Sequence, residues 1–329
     1  MAKPLNPQDA IYYSAFVQAA YAMFSDDDTN LRPDPTGKGV PDGWHVVAWI
    51  TMKDFFLLRQ FEKFYGILAQ KDDDSNSYVL AMRGTEEAIE WYNNAFAFLT
   101  PFDRVPGSGY VHQGFMRIYD TIKVTPLVPA APAAPAAAAA APAAAQPSGS
   151  FAAQIAQVVS ERSVGGPAMA LGQANANVVV VAHSLGAALA TLYVMDNMAN
   201  HTITNPLVCT FASPRVGDKT FVDRFNGFGL TSWRIANVPD LVPNLPPDTF
   251  SYGHVDTLTL VDSTGEVQPK LACAHAITTY DHMLDATRPV DAGCAVTPEE
   301  ARLIREQLPD PATADQIRSA IEGVHAGDG

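Results

Sequence analysis

Val178-Val179-Val180-Val181-Ala182-His183-Ser184-Leu185-Gly186-Ala187-Ala188-Leu189-Ala190 decides the reading of this chain. Four consecutive β-branched residues predict a strand buried on both faces, as in a parallel sheet. A helix-forming run over residues 187–198 begins at once on the far side. Between them lies Ala182-His183-Ser184-Leu185-Gly186, a tight turn with a serine at its apex. Such a turn lifts the serine hydroxyl clear of the sheet, and the helix N-terminus points its free N–H groups at any anion formed beside it. Ala182, Gly186 and Ala187 supply the small residues that close approach of strand and helix requires. The plain alternative is a buried strand–helix junction that happens to hold a serine. Strand, turn and helix in the required order favour a nucleophile elbow, with Ser184 as nucleophile.

A serine nucleophile needs a base and an acid to orient that base, and after an elbow of this kind they follow in the order acid, then histidine. Thr231-Ser232-Trp233-Arg234-Ile235-Ala236-Asn237 reads as a later strand, and Val238-Pro239-Asp240-Leu241-Val242-Pro243 as the turn that follows. Prolines fix φ on either side of Asp240, which suits a carboxylate that must hold one position. Alone, such an aspartate is an ordinary turn residue; the elbow upstream makes it the candidate acid. Of eight histidines, His254, His275, His282 and His325 come after it. His325 sits near the terminus. His254 opens a strand-like stretch, residues 254–261, a place for a structural histidine. His275 is the first candidate base and His282 the second, able to share a face with it if the run between them is helical.

The chain resembles the class 3 lipase family, α/β-hydrolases typified by filamentous-fungal triacylglycerol lipases with plant and bacterial relatives. The resemblance covers roughly residues 45–285 and rests on ordered motifs: Met82-Arg83-Gly84-Thr85 with Trp91, Val111-His112-Gln113-Gly114-Phe115, the elbow, Ser213-Pro214-Arg215-Val216-Gly217-Asp218, and residues 234–247. Tyr252-Gly253-His254-Val255 and residues 273–280 complete them. Positions matching Ser184 and Asp240 are catalytic in the family. His275 with Tyr280 five residues on matches the plant-like pattern, whereas Asp281-His282-Met283-Leu284 looks like the surroundings of the fungal histidine, so both bases stay open. Ala182 stands where the family has glycine.

The resemblance implies a fold with a central, mostly parallel sheet flanked by helices and covered by a short helical lid. It also implies an oxyanion hole built from Thr85, which follows a strand read over residues 78–83, and from the backbone N–H of Leu185. Thr85 also suits a helix N-cap with Glu86 and Glu87 in the first turn. Residues 86–98 occupy the lid position, with Trp91, Tyr92, Phe96 and Phe98 as its apolar side and Asn94 steadying the oxyanion residue. A helix packed permanently on the core is the competing reading.

Composition sets the boundaries. A chain of 329 residues is long enough for one large α/β domain over residues 1–329. A formal net charge of −14 argues against nucleic acid and against attraction to anionic membranes, leaving a hydrophobic route to a lipid–water interface through the lid. There is no transmembrane candidate and no signal sequence, so the chain reads as soluble, either cytoplasmic or secreted with its leader removed. Asn6 and Pro7 start an N-terminal helix with Ile11, Tyr12, Ala15, Phe16, Ala19 and Met23 on its apolar face. Of three cysteines, Cys209 reads as buried and free, while Cys273 and Cys294 can pair if oxidised. No metal cluster or cofactor motif is present in the sequence.

Residues 126–150 are almost wholly alanine and proline, which disfavours regular structure and predicts an extended insert looping into solvent between two helices. Residues 286–329 read as a C-terminal helical extension, with helices over residues 298–307 and 313–324. The expectation is a carboxylic ester hydrolase working through an acyl-enzyme, with an acylglycerol as substrate. Phospholipase A1, galactolipase and feruloyl esterase share the mechanism, acyl transfer to alcohols needs only a dry site, and a non-catalytic binding scaffold is the alternative from another class.

Overall fold

The valine run forms β7 (Asn177–His183) in the computed structural model. The structure describes residues 4–56, 59–85, 98–127, 147–162, 176–200, 203, 206–248, 251–255 and 257–306. Alternate residues of β7 enter different cores, as a period of two demands. Val178, Val180 and Ala182 join one apolar cluster; Val181 and the partly buried Val179 join the other. Each such valine contributes about 1.5–3 kcal/mol by leaving water, so a central strand pays heavily for any polar replacement.

Around β7 an eight-stranded sheet runs in the order β12 (Leu258–Val261), β10 (Ser232–Asn237), β8 (Leu207–Phe211), β7, β3 (Ser77–Met82), β2 (Arg59–Lys71), β1 (Trp44–Phe56), β6 (Lys123–Pro126). Neighbours from β12 through β3 are parallel, and those from β3 through β6 antiparallel. On one face lie α2 (Gln113–Tyr119), α3 (Phe151–Arg162) and α4 (Leu185–Asn200); on the other lie α1 (Pro7–Asp26) and α7 (Ile277–Leu284). This is the fold expected from the motifs. A smaller four-stranded sheet joins β11 (Tyr252–Gly253), β9 (Gly217–Asp218), β5 (Tyr110–His112) and β4 (Leu99–Pro101).

Several features depart from the reading of the sequence. The β1–β2 hairpin was not read from it: its ladder shifts register between Val46 and Ala48 and again between Ile50 and Thr51, which breaks the alternation that marks a strand. The supposed insert begins later than composition suggests, because Thr125 and Pro126 pair with Trp49 and Ala48. Proline is tolerated there because β6 is an edge strand. At its other end the Ser150 carbonyl accepts the Gln154 N–H at 2.9 Å, so regular structure resumes at once. The helix expected before the insert is α2, and the strand β6, which was not read from the sequence, stands between that helix and the insert. Residues 128–146 lie outside the described residues.

Asn6 caps α1 by accepting the Gln8 N–H, as expected, but Tyr12 is 43% exposed and its hydroxyl accepts from Trp44 Nε1. Among the described residues of the 254–261 stretch, Leu258–Val261 forms the strand. Beyond α7, residues 286–297 are loop rather than helix, tied back by a disulfide between Cys273 and Cys294. α8 (Pro298–Glu306) matches the expected helix; residues 313–324 lie outside the described residues. Cys209 is free and buried, and burial pushes its thiol pKa up. Among the described residues no helix is long and apolar enough to cross a membrane.

Candidate active site

Ser184 sits between β7 and α4 with φ of +58°, the left-handed conformation that a strained strand-to-helix turn imposes on a non-glycine residue. Its amide donates to Phe211 O on the neighbouring strand at 3.0 Å, and its carbonyl accepts the Ala187 N–H at 2.9 Å as α4 begins. Two glycines make the approach of strand and helix possible. A Cβ at Gly186 would stand 2.4 Å from Arg83 O, and one at Gly84 would stand 2.6 Å from Ser184 Cβ. Ala182, fully buried, fits its place on the strand.

From the end of β10 a turn closed by Asp240 N–H to Asn237 O at 3.0 Å brings Asp240 inward, where it is fully buried. Its Oδ1 accepts the Val242 N–H at 3.0 Å; its Oδ2 accepts from His275 Nδ1 at 2.8 Å and from the Tyr280 hydroxyl at 2.7 Å. A buried carboxylate with donors on both oxygens meets the condition under which such a charge is tolerated. His275 ends α6 (Leu271–His275), and its Nε2 lies 2.8 Å from Ser184 Oγ. Ser184, His275 and Asp240 thus form one hydrogen-bonded line.

The other two described candidate bases, His282 and His254, stand elsewhere, and His325 lies outside the described residues. His282 sends Nδ1 to Arg288 O at 2.6 Å, and His254 sends Nε2 to Pro243 O at 2.7 Å. Burial holds the His254 pKa well below the usual imidazole value. The exposed return of the chain beyond α7, not the triad, is what His282 fastens.

Beside the triad is a cavity of about 450 Å³ lined by Gln18, Tyr21, Ser25, Thr85, His183, His275, Thr278 and Asp291, among others. Thr85 therefore opens on the space next to His275, and Leu185 is the first residue of α4, where amides have no intrahelical acceptor. Arg83 braces the loop before Thr85. Its buried guanidinium donates to Phe64 O and Gly84 O and lies 3.4 Å from the Phe24 ring centroid, 4.2 Å from that of Tyr65. Phe98 is 59% exposed, and its carbonyl accepts the Gln113 N–H at 2.8 Å. Trp91, Tyr92, Asn94 and Phe96 lie outside the described residues. Among the described residues no group of acidic, histidine or cysteine side chains is placed to hold a metal ion.

Some residues at the site were missed from the sequence. Asn237 donates to Ala274 O and to Ser263 Oγ, pinning the segment that carries His275. Tyr280, noted only for its spacing, donates to Asp240. His183 and Tyr21 hydrogen-bond one another between the elbow and α1. Placement of His183 next to the nucleophile was the one signal available; nothing in the pattern of α1 marks Tyr21.

Comparison with known proteins agrees with this architecture. A family model described as lipase (class 3) matches residues 79–250, and the chain belongs to that family. A curated relative, Phospholipase A1-II 3 of Oryza sativa subsp. indica, is 28% identical over 263 residues, covering 71% of this chain and 57% of its own length. The chain therefore spans a little over half of the curated relative it matches. Two solved structures share the fold: a lipase from Rhizopus microsporus var. chinensis (TM-score 0.52, 20% identity, 79% of this chain and 76% of that one) and Rhizomucor miehei triacylglyceride lipase (TM-score 0.53, 18% identity, 79% and 82%).

Proposed function

We propose that this chain is a serine carboxylic ester hydrolase with an acylglycerol as its substrate. The line from Asp240 through His275 to Ser184, each link 2.8 Å, carries the reading. Ser184 Oγ attacks the ester carbonyl while His275 Nε2 takes its proton, and Asp240 holds the other ring nitrogen as donor. Thr85 and Leu185 supply N–H groups to the tetrahedral oxyanion, each worth about 10²–10³ in rate. His275 then returns the proton to the leaving alcohol, and water repeats the sequence on the acyl-enzyme.

The leaving alcohol must sit beside His275, so the cavity there bears on which ester fits. Among its described lining residues are hydroxyls, an amide and one carboxylate, Asp291, with no lysine or arginine. A neutral glyceride suits that lining better than a phosphate. The name of the rice relative favours phospholipase A1 as the second reading; galactolipase and feruloyl esterase follow. The position of residues 86–98 directly after Thr85, where the family resemblance puts a lid, favours a gated site, and the burial of Ser184 is compatible with one.

Initial rate against concentration of a short triglyceride, carried through its solubility limit, tests both points. The expected outcome is hydrolysis that rises once droplets form and falls by about 10⁴-fold or more in Ser184→Ala. Saturation below the solubility limit removes the gate and leaves an esterase. Faster turnover of dispersed phosphatidylcholine than of triglyceride replaces the acylglycerol reading with phospholipase A1.

A further inference from the structure

His183 and Tyr21 transfer no proton in the proposed reaction, yet their hydrogen bonds have a forced direction. The His275 carbonyl oxygen can only accept, so His183 Nε2, 2.8 Å from it, carries the ring proton. Burial, then the neighbouring His275, hold the His183 pKa well below the usual imidazole value, and the ring is neutral. Its Nδ1 therefore offers a lone pair, and the Tyr21 hydroxyl donates to it at 2.8 Å. With its proton so committed, the Tyr21 oxygen accepts the Gly84 N–H at 2.8 Å.

One carbonyl thus orders a chain of donors that runs from the strand end before Thr85 to the backbone of the base. The packing leaves it no slack: a Cβ on Gly84 would stand 2.8 Å from the Tyr21 hydroxyl and 3.2 Å from the His183 carbonyl. The His183 and His275 rings lie 4.7 Å apart. A catalytic centre of this kind needs its oxyanion donor and its base at a set separation, and these two come from distant parts of the chain.

Resting on the ester-hydrolase reading, we propose that Tyr21 and His183 are positioning residues. The hydrogen-bond chain Gly84–Tyr21–His183–His275 sets the oxyanion donor at Thr85 against the imidazole of His275. α1 is thereby part of the active site: it lines the cavity beside His275 and, through Tyr21, holds the two catalytic groups in register without transferring a proton. Loss of the chain misplaces one group relative to the other, which costs transition-state stabilisation while leaving ground-state binding intact.

Tyr21→Phe removes the hydroxyl and keeps the ring. On a soluble short-chain nitrophenyl ester, kcat should fall about 10- to 100-fold with KM held within about twofold. Affinity for an alkyl boronic acid, which adds to the serine as a tetrahedral mimic, should fall by a similar factor. His183→Gln retains a donor for His275 O and replaces the ring Nδ1 that Tyr21 meets with an amide oxygen on a flexible chain, so the register is loosened; its kcat should drop by about 10-fold. The proposal is overturned if Tyr21→Phe keeps kcat within about twofold, or if kcat falls with boronate affinity unchanged and a lowered melting temperature, the mark of a merely structural role. Should Tyr21→Phe fail to fold, His183→Gln decides by the same readouts. A wild-type protein that neither hydrolyses the ester nor is labelled by a serine-directed phosphonate sinks the ester-hydrolase reading and this chain with it. An active wild type with an unaffected Tyr21→Phe sinks the chain alone.

Discussion

Ser184 and Asp240 stand at the ends of β7 and β10, two parallel strands with only β8 between them. His275, Tyr21 and Asp281 come from the flanks, on a short helix before α7, on α1 and on α7 itself. In the first region position is set by backbone ladders that any sequence of strand formers keeps. In the second it is set by side-chain hydrogen bonds: Asn237 to Ala274 O, Tyr280 to Asp240, and Ser14 and Gln18 on α1 to Asp281 on α7. The matched family segment, residues 79–250, holds Ser184 and Asp240, the proposed nucleophile and acid, but neither His275 nor Tyr21. Within the flanks, His275 and Tyr21 should fail as the strand ends do, through lost chemistry, whereas Asp281, which takes no part in the proposed reaction, should fail through stability.

The largest effect should come from Asp240→Asn. It keeps the shape and removes the charge, so kcat is expected to fall on the order of 10³–10⁴-fold. Its melting temperature should move little compared with that loss. A fall of only tenfold, read with the soluble ester, would break the assignment of Asp240 as the orienting acid.

Next comes Asp281, which belongs to the flanks and has no part in the proposed chemistry. Ser14 Oγ lies 2.8 Å from Ile11 O and 2.7 Å from Asp281 Oδ2, and one hydroxyl proton cannot serve both. A protonated Asp281 resolves the conflict by donating to Ser14. Burial raises its pKa from 3.8 to about 7, against the lowering effects of Ser14, Arg288 and Gln18. The folded state then holds a proton the unfolded chain has lost, so stability falls as pH rises from about 4 to about 7 and levels off above that. Asp281→Asn should flatten this slope and stabilise the protein at pH 8 by as much as about 4 kcal/mol, with little change near pH 4. Thermal melts of both proteins across that window check it; parallel slopes would show that another group controls the interface of α1 and α7.

The disulfide should give the smallest of the three. Cys273 and Cys294 are 21 residues apart, and opening a loop of that size costs about 3 kcal/mol in the chain-entropy model. Cys294→Ser should lower the melting temperature by several degrees, dithiothreitol should reproduce the shift in the wild type, and kcat at low temperature should change less than with Asp240→Asn. An unchanged melting temperature would mean that the loop carrying Asp291 is held by its hydrogen bonds, such as Gln268 N–H to Cys294 O, without help from the bond.

Legibility followed the same division. β7, β8 and β10 were readable because they are short, largely buried runs carrying β-branched or aromatic residues, and the elbow because its turn, strand and helix adjoin in sequence. β1 and β2 were missed where bulges interrupt their alternation, and the N-terminal edge of the alanine–proline stretch was misplaced because an edge strand accepts proline. Arg83 was visible as part of a motif, but its clamp on Phe64 O was not, since the two residues come together only when β2 lies beside β3.

What the sequence by itself determined is the local geometry: a strand-to-helix turn that holds Ser184 at positive φ, a turn that carries Asp240, and the hydrolase architecture these imply. Which histidine completes the line was decided only by the tertiary structure. His275 and His282 are close in sequence, yet Asn237 and the end of α6 aim one at Ser184, while α7 carries the other away to Arg288 O. Tyr21, His183 and Asp281 acquire their settings in the same way, because hydrogen-bond partners tens to hundreds of residues apart leave no periodicity in the chain. Local conformational preference is written in neighbouring residues; the pairing of buried polar groups exists only once the chain has closed around them.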